Sequence, residues 1–241
     1  MTSTIHIGTS GWNYKHWLGR FYPDRFPAKE MLEFYSQQFD TVELNNSFYH
    51  LPTPKSFRTW RDTVPKDFVF AVKGSRFITH MKKLKAPKTS TKKFFTRVKH
   101  LEDKLGLILF QLPPHWGVSL QRLATFLERL PKEYRYAFEF REHSWFADEV
   151  YELLQQHQVA LCIYHMNGYD SPAEITADFV YVRFHGTASR YGGSYSNSQL
   201  KAWARRIEAW REKSKDVFVY FNNDPEGHAV YNAKTLHVML D

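Results

Sequence analysis

The sequence predicts an α/β fold: a single (β/α)8 TIM-type barrel with parallel strands, one domain spanning residues 1–241. Three observations carry this. Apolar runs rich in β-branched and aromatic residues, about eight of them, alternate with helix-length segments along the whole chain. Alternation of that kind argues for a parallel sheet covered by helices, and eight units in 241 residues suit a closed barrel. The competing open sheet would want a G-x-G-x-x-G turn after a strand, and Gly8-Thr9-Ser10-Gly11 lacks that spacing. No nucleotide cofactor is therefore expected.

The elements follow in order. Residues 5–10 read as the first strand and run into Gly11, Trp12 and Tyr14. Pro27 suits a first helical turn, and residues 28–39 read as a helix. Residues 41–45 form the second strand, with Glu43 and Asn45 on one face because strand side chains alternate. Residues 46–52 read as a loop, and Thr53-Pro54 as a capped start for a helix to about residue 63. Lys73 stands near the end of the third strand, 68–73, and a long connection, 74–87, carries Arg76, His80, Lys82, Lys83 and Lys85. In a helix over 89–104, Phe94, Phe95, Val98 and Leu101 take helical spacing, and Lys92, Lys93 and Lys99 turn to water. The fourth strand, 105–112, contains Gln111 and is stopped by Pro113-Pro114, which cannot donate to a ladder.

Ser119 is the expected cap of a helix to about residue 130. In the fifth strand, 135–141, Ala137, Glu139 and Arg141 share a face. A helix over 147–157 and a sixth strand over 159–165 follow, and the connection 166–178 is expected to hold at most a stub of helix. The seventh strand, 179–186, puts Tyr181, Arg183 and His185 on one face and Val182 and Phe184 on the other. Its loop brings Gly186, Arg190, Tyr191, Gly192, Gly193, Ser194 and Tyr195. Leu200, Trp203, Ala204, Ile207 and Trp210 mark an amphipathic helix. The eighth strand, 217–223, ends Asn222-Asn223-Asp224, and the remainder reads as helical to about residue 240.

Composition bounds the function. No apolar run approaches the ~18 residues of a membrane span, so no membrane partner is expected. Cys162 is the only cysteine, so no intrachain disulfide can form, and with no signal peptide in view the expected location is cytoplasmic. Cys162 lies in an apolar run and reads as buried and inert. The net charge of +8 is localised: residues 73–104 hold eleven Lys and Arg against Glu102 and Asp103. Such a stretch reads first as a solvated lysine-rich helix face, and second as a surface that attracts polyanions.

Several motifs, met in order, resemble the YecE-like family, also called domain of unknown function seventy-two. They are Gly8-Thr9-Ser10-Gly11-Trp12-x-Tyr14, Thr41-Val42-Glu43-x-Asn45 with Phe48-Tyr49, Ile78-Thr79-His80, and Phe110-Gln111-Leu112-Pro113-Pro114. Phe140-Arg141-x-x-Ser144-Trp145, Arg183-x-His185-Gly186 and Tyr220-Phe221-Asn222-Asn223-Asp224 complete the set. The resemblance implies a TIM-type barrel without an assigned activity, so it brings no catalytic residues with it. One departure stands at the sixth strand, where the family is expected to end in an acidic residue and this chain has Tyr164-His165.

In a barrel the strand C-termini share one rim, where such enzymes keep their sites. The rim candidates are Ser10, Glu43, Asn45, Lys73, Gln111, Glu139, Arg141, His165, Arg183, His185, Asn222 and Asp224. Burying so many polar groups costs free energy unless each finds a partner. The ring therefore reads as a site, weighed against a structural network such as Glu43 with Lys73. The leading expectation is an anionic small molecule or nucleic acid, bound and hydrolysed as a phosphoester. Arg183, Arg141 and Lys73 supply charge, and Gly192-Gly193-Ser194 supply backbone N–H groups. His185 is the acid or base, with Glu139 or Glu43 as second partner; Trp12, Tyr14 and Tyr191 stack bases. The alternatives are a glycosidase using Glu43 and Glu139, a divalent metal held among Glu43, Glu139, His165, His185 and Asp224, and a non-catalytic binding protein.

Overall fold

The β-branched and aromatic runs form the strands that alternation predicts. The structure is a computed structural model describing residues 3–86, 88–188, 191–213 and 215–240. Arg190, named in the glycine-rich loop above, and Pro87 lie outside the described residues. The strands are β1 (Ile5–Thr9), β2 (Thr41–Leu44), β3 (Val69–Lys73), β4 (Leu105–Gln111), β5 (Tyr136–Glu139), β6 (Ala160–Met166), β7 (Tyr169–Asp170), β8 (Phe179–Phe184) and β9 (Asp216–Phe221). Apart from β7, they hydrogen-bond in the order β1-β9-β8-β6-β5-β4-β3-β2, and the chain is a nearly closed α/β TIM-type barrel of eight parallel strands with helices between. Residues of β2, β5 and β8 are buried throughout, as expected of parallel strands covered on both faces.

The helices are α1 (Met31–Ser36), α2 (Asn46–Tyr49), α3 (Pro54–Thr63), α4 (Lys88–Val98), α5 (Leu120–Glu128), α6 (Asp148–Gln156), α7 (Asn197–Glu212) and α8 (His228–Val238). Thr53 caps α3 as its Thr-Pro start predicts, accepting the Ser56 N–H at 3.1 Å. Four local expectations are corrected. The helix expected over 89–104 ends at Val98 and tightens into a 3₁₀ segment, in which Glu102 takes a left-handed φ of 54°. The connection 166–178 holds β7, antiparallel to β6, in place of a helical stub. The 46–52 loop contains the one-turn α2. Ser119 precedes α5, but its side chain makes no capping bond. No helix among the described residues is long and apolar enough to cross a membrane.

The chain clusters into two compact units. The first comprises residues 1–43, 163–171 and 179–241. Its helix α7 starts from a capping box, Ser196 with Gln199, and buries Leu200, Trp203, Ala204 and Ile207. Trp203 meets Phe184 edge-on at 4.9 Å. β1 and β2 end the strand order, and Tyr35 of α1 stitches them together. Its hydroxyl accepts the Thr9 N–H at 2.9 Å and donates to the Thr41 carbonyl at 3.0 Å. Gly8 allows this approach, since a Cβ there would run into the Thr41 carbonyl oxygen.

The second unit comprises residues 44–162 and 172–178. Its core is aromatic: Phe110 contacts Phe94, Phe126, Tyr136 and Phe138. Trp145 stacks on Phe140 at 4.8 Å and donates its indole N–H to the Trp116 carbonyl at 2.6 Å. Thr176 ties the start of β6, accepting the Leu161 N–H and donating to the Val159 carbonyl.

Candidate functional site

The first unit holds two polar constellations on the face of β8 that alternation assigned to Tyr181, Arg183 and His185. Deepest is Glu43 of β2, which is fully buried. It accepts from Ser10 Oγ at 2.8 Å, from Arg183 Nη2 at 2.7 Å, and from the Tyr181 hydroxyl. Arg183 is equally buried. The Tyr181 hydroxyl stays protonated: burial, and then the Glu43 charge, push its pKa well above the ordinary phenol value. Tyr220, beside Tyr181, shares a 2.6 Å hydrogen bond with Thr41 Oγ1. Glu43 is thus partnered by Arg183 within a buried network to which Ser10 belongs.

The second constellation sits just past the ends of β8 and β9. His185 is fully buried, with Tyr164 and Tyr191 edge-on at 5.8 and 5.6 Å. The Asn222 amide nitrogen lies 3.1 Å from His185 Nδ1 and donates to it, so the neutral ring carries its proton on Nε2. The following loop folds back on itself: the Gly192 carbonyl accepts the N–H groups of Thr187 and Ala188. Gly186, at φ 104°, is required there, because a Cβ would collide with that carbonyl. Asn223 holds the loop from below, donating to the Gly193 carbonyl at 2.9 Å and to Asn232 Oδ1 at 2.8 Å.

His165 proves to point elsewhere. Alternation puts Tyr164 and Cys162 on one face of β6 and His165 on the other. Tyr164 meets His185, whereas His165 Nδ1 bonds the Tyr195 hydroxyl at 2.8 Å. That hydroxyl also accepts the Gly186 N–H at 3.0 Å. Burial pulls the His165 pKa below the ordinary value, so the ring is a neutral strut of the loop. Asp224 pairs with His16 at 2.8 Å; burial pushes its carboxyl pKa up, and the His16 charge opposes this. Tyr14 donates to the Ser10 carbonyl at 2.6 Å. Trp12 is only 8% exposed, which withdraws its ring from the stacking role expected of it; Tyr14 and Tyr191 are half-buried.

The second unit carries its own polar groups. Glu139, fully buried, is bonded by Arg141 Nε and lies 3.6 Å from the Cys162 thiol. Cys162 itself is buried and free of any disulfide. Each carboxylate of the glycosidase expectation, Glu43 and Glu139, therefore already engages a guanidinium. At the end of β3, Ser47 anchors the Lys73 carbonyl at 2.6 Å. The Lys73 ammonium stands 4.5 Å over the Phe48 ring, and His80 meets the same ring edge-on at 5.0 Å. Burial, then the charges of Lys73 and Arg76, lower the His80 pKa to about 4. Asn45 and the largely buried Gln111 also belong to this unit. Among the described residues no group of three His, Cys, Asp or Glu side chains could hold a metal ion.

Tyr181, Tyr220, Thr41 and His80, each named from the sequence, were not counted among the rim candidates. The signal for Tyr181 was its shared parity with Arg183 and His185. The signal for His80 was its nearness to Lys73 in a basic stretch.

Comparison with known proteins shows the family of the chain. A family model described as "Protein of unknown function DUF72" matches residues 6–241. The UPF0759 protein YunF of Bacillus subtilis is 28% identical over 98% of this chain and 95% of its own length. The UPF0759 protein YecE of Escherichia coli is 32% identical over 59% of this chain and 50% of its own. A crystal structure of a DUF72 family protein from Thermotoga maritima matches with a TM-score of 0.90 and 30% identity, covering 98% of this chain and 99% of that one.

Proposed function

From the premise that this chain belongs to the DUF72 family, we propose that it binds a phosphate-containing substrate, a phosphoester or a nucleic-acid strand, at the C-terminal ends of β8 and β9, and hydrolyses it. The observation that carries the reading is the His185–Asn222 pair, a buried imidazole with its proton held on Nε2 beside a glycine-rich loop. Loops after the last two strands of such barrels are a habitual place for phosphate. An Nε2–H donor can hydrogen-bond a phosphoryl oxygen and the negative charge that develops on a leaving alkoxide. Arg183 and Glu43 act beneath this as a positioning pair. A separate cue to an anionic ligand comes from the second unit, where the charges of Lys73 and Arg76 bear on His80.

The test is binding of a fluorescent single-stranded oligonucleotide at low and physiological salt, with turnover of bis(p-nitrophenyl) phosphate alongside. The expected result is binding that weakens steeply with salt, and turnover that His185→Gln lowers by about 10²- to 10³-fold, the usual worth of one donor aimed at developing charge. Absence of both binding and turnover in the wild-type protein overturns the reading.

A further inference from the structure

The basic stretch 73–104 has a structural counterpart apart from the site above. In the second unit a pocket of about 450 Å³ opens between α4 and α5, within the ~300–1,000 Å³ of ordinary small-molecule sites. Its floor is apolar: Leu84, Phe95, Phe126 and Leu130 line it, and no acidic residue does. Lys88 and Lys92 from α4 and Arg129 from the end of α5 form its edge. Lys88, Lys92 and Phe95 fall at i, i+4 and i+7, so one helical stripe supplies both cations and an aromatic wall. Phe126, Arg129 and Leu130 repeat the pattern at i, i+3 and i+4. All three cations are exposed, and none makes an ion pair among the described residues.

We infer that this pocket is a binding site for a small amphipathic anion, an alkyl chain of medium length carrying a carboxylate or phosphate head. The apolar floor takes the chain by the hydrophobic effect, and three positive charges, with no carboxylate among the lining residues, select an anionic head. The lysines of α4 are then the edge of a site, where the sequence alone reads them as a solvated face.

Calorimetric titration of the full chain with decanoate, decyl phosphate and decanol tests this. Decanoate and decyl phosphate should both bind, and decanol more weakly. The double variant Lys92→Glu/Arg129→Glu changes only exposed residues and should fold normally, which a thermal melt checks. In it both anions should bind about tenfold more weakly, a loss that a few screened surface charges can account for, while decanol is unchanged. Decanol binding as tightly as decanoate, anion binding indifferent to the charge reversal, or no heat from any of the three overturns the inference. So does binding of an acidic amphipathic peptide by a protein that ignores decanoate, which would make the pocket a peptide groove.

Discussion

Arg183 Nη2 lies 2.7 Å from Glu43 Oε1, and neither side chain has any exposed surface. Removing one partner of such a pair leaves a buried charge without its counter-charge, at a cost of about 3–5 kcal/mol. Glu43→Ala should therefore lower the unfolding free energy by about that much in urea titration. The double variant Glu43→Leu/Arg183→Met should recover part of the loss, because it buries no charge, while the buried Ser10 and Tyr181 hydroxyls lose their Glu43 acceptor. A single-variant loss below ~1 kcal/mol would mean that water reaches the pair.

His80 gives the protein a specific acid response. Its folded pKa is about 4, against an ordinary value of 6.5. The neutral ring is thus favoured by the fold, and the stabilisation is complete above pH 6.5 and lost as pH falls through 4. His80 is partly exposed, so after solvent screening the effect is on the order of 1 kcal/mol. Urea midpoints measured at neutral pH and near pH 4 should fall further for the wild type than for His80→Gln. Lys73→Met should also raise the His80 pKa in an NMR titration, since it removes one of the two cations that depress it. An unmoved titration would show that Lys73 does not act on the ring.

Asn222 fixes which nitrogen of His185 bears the proton. In Asn222→Asp a carboxylate oxygen replaces the donor at Nδ1, so the ring should carry its proton on Nδ1, a change that ¹⁵N chemical shifts read directly. If His185 acts through Nε2–H, phosphodiester turnover should fall about as far as in His185→Gln, by 10²-fold or more. A shifted tautomer with unchanged turnover would separate the Asn222 contact from catalysis.

The eight strands were legible because each is a β-branched or aromatic run, and their alternation with helices fixed the topology. Face assignments held where a strand is regular: Tyr181 and Arg183 of β8 share the buried Glu43 as their partner, and His185, of the same parity, is partnered by Asn222. They were unreadable at strand ends. His165 and Tyr164 are adjacent, and which of the two meets His185 depends on where the pairing of β6 with its neighbours leaves the alternation. The partner of Glu43 was unreadable for another reason. Choosing Arg183, 140 residues away, over Lys73 requires side-chain reach and direction, which alternation does not contain. The same limit hid Tyr35, whose role rests on one hydroxyl at the right height.

Tyr35 Oη accepts the Thr9 N–H at 2.9 Å and donates to the Thr41 carbonyl at 3.0 Å, so it bridges the two end strands of the order. Thr9 Oγ1 reaches the same oxygen at 2.9 Å. Burial keeps the phenol protonated far above its ordinary pKa, so the bridge persists across the working pH range. Tyr35→Phe keeps the ring, with its 4.8 Å stacking on Phe39, and deletes only the oxygen. Both backbone groups then lose this partner in a buried place, and each loss costs about 1–3 kcal/mol. Denaturant titration should show a loss of about 2–6 kcal/mol, and hydrogen exchange should quicken at the Thr9 amide more than at amides within β8. Uniform acceleration would assign the loss to global stability and leave the bridge without a local role. Acceleration confined to Thr9 would identify the junction of β1 and β2 as the place where the strand order opens first.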